Sequence, residues 1–96
     1  MATSETSAQE VGDVYRQTVS ALGKLDRILA QMGADKTRLL SATVYIVDID
    51  RKEEMDRAWC EWVGDDPDHW PQRACVEAGL YKSDLVEIVV TVAMPR

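Results

Sequence analysis

Four polar side chains near the C-terminal end of the sequence could do chemistry: Arg73, Cys75, Glu77 and, further on, Glu87. An arginine presents a planar, permanently charged fork that matches a carboxylate. A carboxylate can orient or deprotonate a water molecule. A lone cysteine is more often a small buried hydrophobe than a nucleophile. Alternation over residues 72–78 puts Arg73, Cys75 and Glu77 on one face of a strand, and alternation over 85–93 puts Glu87 on one face of the next. On residue types alone, Arg73 pairs with Glu77 or Glu87 within the sheet, because charged groups on neighbouring strands commonly pair. The other reading gives its fork to a ligand carboxylate. No Ser-His-Asp, HExxH or Gly-rich phosphate signature is present. The one histidine, His69, lies in an acidic loop with Asp66 and Asp68 and reads as solvated. Together with Cys60 and Cys75 it matches no zinc spacing, so no metal is expected.

These residues need elements to hold them. Val11, Val14, Thr18, Leu22, Leu25, Leu29 and Met32 recur at three-and-four spacing and predict a long amphipathic helix from about Gln9 to Met32. Ser7 and Glu10 form a capping box at its start, and Gly33 stops it. Leu40, Ala42, Val44 and Ile46 then alternate with Ser41, Thr43, Tyr45 and Val47, which predicts a strand ending near Asp48. Asp50 caps a second helix over about Arg51 to Val63, with Met55, Trp59, Trp62 and Val63 at helical spacing and Gly64 at its end. Residues 65–71 read as a loop, in which Trp70 lines a pocket or caps the core.

Two strands follow, Gln72 to Ala78 and Leu85 to Ala93, and the short gap from Gly79 to Asp84 suits an antiparallel hairpin. Ala42, Val44, Ile46, Ala74, Val76, Val86, Ile88 and Val90 supply a face for the helices to cover. The expected fold is an α+β two-layer sandwich in the order helix-strand-helix-strand-strand, with both helices on one face of the sheet. The opposite face would carry Thr43, Tyr45, Val47, Arg73, Cys75, Glu77, Glu87, Val89 and Thr91. It is half apolar, which suits association between copies.

Composition bounds the function. The 96 residues make one small domain over 9–96 with a polar flexible arm over 1–8, and 46% hydrophobic with 29% charged residues is ordinary globular usage. Eleven Lys and Arg against 17 Asp and Glu leave a net charge of −6, which disfavours nucleic acid and anionic membranes as partners. No apolar run approaches the roughly 20 residues of a membrane span. The N-terminus lacks the basic and apolar regions of a signal peptide, and two cysteines make no disulfide framework, so a cytoplasmic location is expected.

The runs Thr43-Val44-Tyr45-Ile46-Val47-Asp48, Pro71-Gln72-Arg73-Ala74-Cys75-Val76-Glu77 and Leu85-Val86-Glu87-Ile88, with a helix carrying Trp59, resemble the RidA (YjgF) family over about residues 10 to 94. The resemblance implies a chorismate-mutase-like fold and a homotrimer with clefts between subunits. It implies hydrolysis of reactive 2-imino and enamine acids, such as 2-aminoacrylate, to 2-keto acids and ammonia. Arg73 matches the family arginine that binds the substrate carboxylate, Glu87 the acidic residue that positions or activates water, and Cys75 a cysteine lining the cleft. Asp56 stands where many members carry asparagine. An imine is already electrophilic, so no cofactor is implied. Family members open with a β-hairpin before the long helix. This sequence opens on the helix, and activity is expected to suffer from the short N-terminus; the Ala78-Gly79-Leu80 that follows Glu77 and the Trp-rich second helix resemble divergent branches of the family. The alternatives are a non-catalytic module of the same fold that binds small carboxylates such as 2-keto acids through Arg73, and a plain oligomerisation domain.

Overall fold

The computed structural model of the chain describes residues 12–93. The element order is α1 (Val14–Gln31), β1 (Leu39–Ile46), α2 (Lys52–Val63), β2 (Gln72–Glu77) and β3 (Val86–Val92), with short 3-10 turns at Lys36–Arg38, Ile49–Arg51 and Pro67–His69. Helix α1 begins later than its periodicity suggests. Asp13 is its N-cap, accepting from the Arg16 backbone N–H at 2.9 Å. The capping box of Ser7 and Glu10 and the arm over 1–8 lie outside the described residues. At the other end Gly33 adopts a left-handed φ of +73°, its N–H donates to Ala30 O, and the Ala34 N–H donates to Leu29 O at 2.8 Å. That pair of bonds is a Schellman closure, and it favours glycine at this position.

The sheet has the order β2-β1-β3, with β1 parallel to β2 and antiparallel to β3. The expected hairpin between β2 and β3 does not form, because β1 lies between them. Residues 78–85 instead cross the end of β1, held by bonds from Ala78 N–H to Ile46 O and from Val47 N–H to Leu85 O, both 3.0 Å. Gln17 of α1 adds a second hold. It is buried, donates to Ser83 O at 3.1 Å and accepts from the Leu85 N–H at 2.7 Å.

Both helices cover one face of the sheet. The core is Val14, Leu22 and Leu25 of α1, Ala42, Val44 and Ile46 of β1, Met55 and Trp59 of α2, and Val86 and Ile88 of β3. Removing the valine, leucine, isoleucine and methionine side chains among these from water contributes about 1.5–3 kcal/mol each. Leu40 departs from the expected face. It is 56% exposed while Leu39 is buried, because the ladder with β3 is irregular between Leu39 and Ser41 and the alternation slips there.

Strand β2 departs further. Its parallel register sets Arg73 beside Ala42, Cys75 beside Val44 and Glu77 beside Ile46, so these three face the helices. Ala74 and Val76 face outward, with Val76 44% exposed. The outward face thus holds Thr43, Tyr45, Ala74, Val76, Glu87, Val89 and Thr91. Among the described residues each outer strand has one unpaired edge. An apolar groove of about 200 Å³ runs between α1 and β3, lined by Leu25, Ile28, Leu29 and Met32 on one side.

Candidate functional site

The site residues gather where β2 meets α2. The second helix starts from a 3-10 turn whose first N–H, that of Ile49, donates to Glu77 Oε1 at 2.9 Å. Glu77 is thereby committed to the entry of α2 rather than to Arg73. From Lys52 the helix places Met55, Asp56 and Trp59 toward β2 at three-and-four spacing. Arg73 enters this corner from the strand. Its guanidinium carbon lies 5.5 Å from the centre of the Trp59 ring, and its Nη1 lies 3.6 Å from Met55 Sδ.

The partner of Arg73 is Asp56. The expected pairing with Glu77 or Glu87 fails because Glu77 caps a turn and Glu87 lies on the other face of the sheet. Arg73 Nη1 is 2.8 Å from Asp56 Oδ1, within ion-pair range, but its N–H is not aimed at that oxygen. The buried Oδ1 therefore has no directed donor among the described residues. The other carboxylate oxygen, Oδ2, accepts from Lys52 Nζ at 2.6 Å. Burial pushes the Asp56 carboxyl up, but the hydrogen bond from Lys52 and the adjacent Arg73 pull it down by more, and it is held below the ordinary aspartate range. Among the described residues the Nε and Nη2 of Arg73 take no partner, which leaves one edge of the fork open. Arg73 also lines an open hollow of about 410 Å³ at the first halves of β1 and β2, with Ser41, Thr43, Gln72 and Ala74.

Cys75 stands next on the same face, half-buried against the core. Burial pushes its thiol up, and the nearby Arg73 and Lys52 charges offset this only in part. A thiol held in its neutral form is a weak nucleophile, so the geometry suits lining a cavity better than attacking a substrate. Glu87 pairs in register with Tyr45 on the outward face of β3 and makes no hydrogen bond or ion pair among the described residues. It is separated from Arg73 by two strand spacings, roughly 10 Å, and by the thickness of the sheet. Trp70 is 52% exposed and donates through Nε1 to Gly64 O at 2.9 Å, so it closes the loop after α2 and does not cap the core.

Lys52 and Asp56 complete this corner, and residue types gave little reason to join them to Arg73. Their i, i+4 spacing is legible as a helix pair, but nothing local says that the arginine of a later strand lands on the same carboxylate. Among the described residues no three His, Cys, Asp or Glu side chains are grouped to hold a metal ion.

A mixed sheet under two helices, with an arginine and a cysteine turned inward from its edge strand, defines an α+β protein of the YjgF fold. The chain matches the family described as Endoribonuclease L-PSP over residues 2–94. It is 42% identical over 91 residues to a RutC family protein of Haemophilus ducreyi, covering 94% of this chain and 76% of that one. It is 34% identical to the RutC family protein YoaB of Escherichia coli, covering 85% and 71% of the two chains. The crystal structure of a YjgF family member from Neisseria meningitidis superposes with a TM-score of 0.82 at 37% identity, covering 88% of this chain and 71% of that one. The chain belongs to the RidA/YjgF family.

Proposed function

We propose that this protein hydrolyses reactive 2-imino and enamine acids to 2-keto acids and ammonia, with Arg73 holding the substrate carboxylate. The observation that carries the reading is the half-engaged guanidinium. Nη1 lies against Asp56 and Met55, while Nε and Nη2 take no partner among the described residues. A bidentate carboxylate contact there is worth about 1.5–3 kcal/mol. Water adds to the C2 carbon of the bound imine, the nitrogen takes up protons and leaves as ammonia, and the C2 oxygen becomes the keto group. The substrate is electrophilic without help, so no cofactor enters.

Water is oriented by Glu87, and the separation of Glu87 from Arg73 within one chain supports a site shared between copies. In a homotrimer, Arg73 of one subunit faces Glu87 of the next across a cleft. The half-apolar outward face, with Val76 and Val89 exposed, supports such packing. A net charge of −6 argues against RNA as the substrate, although the family description names an endoribonuclease. A cytoplasmic location agrees with the small acidic domain, in which no helix among the described residues is long and apolar enough to cross a membrane.

A second reading has an observation in its favour. Glu87 is remote from Arg73 within the chain, so a protein whose copies do not bring the two together is a non-catalytic module that binds small carboxylates such as 2-keto acids. One assay separates the two. An amino-acid oxidase generates the imine in situ, and ammonia or keto-acid release is followed with and without the protein. Acceleration by the wild type that falls at least about tenfold in Arg73→Ala is expected for a lost charged contact. Binding of 2-ketobutyrate without acceleration selects the module.

A further inference from the structure

We propose that Asp56, with Lys52, sets the charge selectivity of the Arg73 site and restricts it to monoanionic carboxylates. The inference rests on the reading of Arg73 as a carboxylate anchor. Lys52, Asp56 and Arg73 form one continuous row, with Lys52 Nζ 2.6 Å from Oδ2 and Arg73 Nη1 2.8 Å from Oδ1. Two cations and one anion leave a single net positive charge. The row is sheltered, with side-chain exposures of 39%, 28% and 21% for Lys52, Asp56 and Arg73, so its charges are less screened than surface ones.

Asp56 does not touch the ligand. Its Oδ1 is shut off from solvent, and Oδ2 is occupied by Lys52. The Arg73 Nη1–H is not aligned on Oδ1, so Asp56 does not clamp the fork in one orientation. What remains is its charge, which neutralises one of the two cations. A ligand with one carboxylate is matched by the surplus positive charge. A ligand with two carboxylates brings a second negative charge toward Asp56 with no cation left to receive it. Asp56 is thus a selectivity residue that acts by its charge beside Arg73.

The test uses the full chain and two four-carbon probes, 2-ketobutyrate with one carboxylate and oxaloacetate with two, titrated by NMR chemical shift. The wild type should prefer 2-ketobutyrate. Asp56→Asn keeps the shape and removes the negative charge, so both affinities should rise, and the ratio should move toward oxaloacetate by about fivefold or more. Lys52→Gln changes the least buried side chain of the row and should move the ratio the other way, which keeps the test decisive if Asp56→Asn folds poorly. A purely structural role would change both affinities together and leave the ratio alone. If the wild type binds 2-ketobutyrate and neither variant shifts the ratio, the selectivity role is overturned while the carboxylate anchor stands. If the wild type binds neither probe, the anchor reading itself falls and takes this inference with it.

Discussion

Asp56 carries a pH dependence as well as a charge. Its carboxyl is held below the ordinary aspartate range in the folded protein, so folding favours the ionised form. The stability this contributes is fully present above the unfolded aspartate range of about pH 4. It is lost as pH falls through that range and on through the lower folded value. Urea unfolding followed from pH 7 downward should show a decline below about pH 4, and Asp56→Asn should make that acid limb shallower. Glu54, held down by its hydrogen bond from Arg51, retains part of the slope in the variant. An unchanged limb in Asp56→Asn would mean that the ionisation of Asp56 is not linked to folding.

At the scale of the elements, α1 does more than cover the sheet. Its buried Gln17 is hydrogen-bonded on both sides to the segment that carries the chain from β2 to β3, at Ser83 and Leu85. That segment has to pass over the end of β1, so its backbone needs partners that no hairpin supplies. Replacing Gln17 with Leu leaves the Leu85 N–H without this acceptor at a part-buried position. Equilibrium urea denaturation should report a loss of about 1–3 kcal/mol. Helix α2 is fastened on its flanks, by Trp62 Nε1 to Asp26 Oδ2 at 3.0 Å and by Arg51 Nη2 to Gly12 O at 2.8 Å. These bonds fix how far α2 reaches over β2 and hence where Asp56 meets Arg73.

At the scale of the molecule, the layers are closed on the helix side and open on the other. Val76 and Val89 lie on the two outer strands of the open face at 44% and 36% exposure, flanking Tyr45 and Thr43 of β1. A trimer built through this face would bury them. Val89→Glu should therefore shift the native mass toward the monomer. The intrinsic stability of the subunit should change by no more than about 0.5 kcal/mol, as for an ordinary surface substitution. A native mass of one chain for the wild type would sink the shared-site proposal, because Arg73 and Glu87 would then have no route to each other.

The sequence by itself determined the elements and their order. Leu22, Leu25 and Leu29 mark the buried stripe of α1, Ala42, Val44 and Ile46 the inner face of β1, and Val86 and Ile88 that of β3, because side-chain periodicity is a local property of the backbone. It also brought Arg73, Cys75 and Glu87 to notice by their types and spacing. Tertiary structure alone decided which way β2 faces. Ala74 and Val76 are the more apolar set and read as the inner one, yet parallel pairing to β1 turns Arg73 and Cys75 inward, where Asp56 and Trp59 of α2 receive the charge. Strand order was equally hidden, since a short gap between β2 and β3 reads as a hairpin unless β1 is known to lie between them. The physical reason is the same in both cases. Alternation says that residues lie on opposite faces, but which face is inner depends on partners distant in the chain.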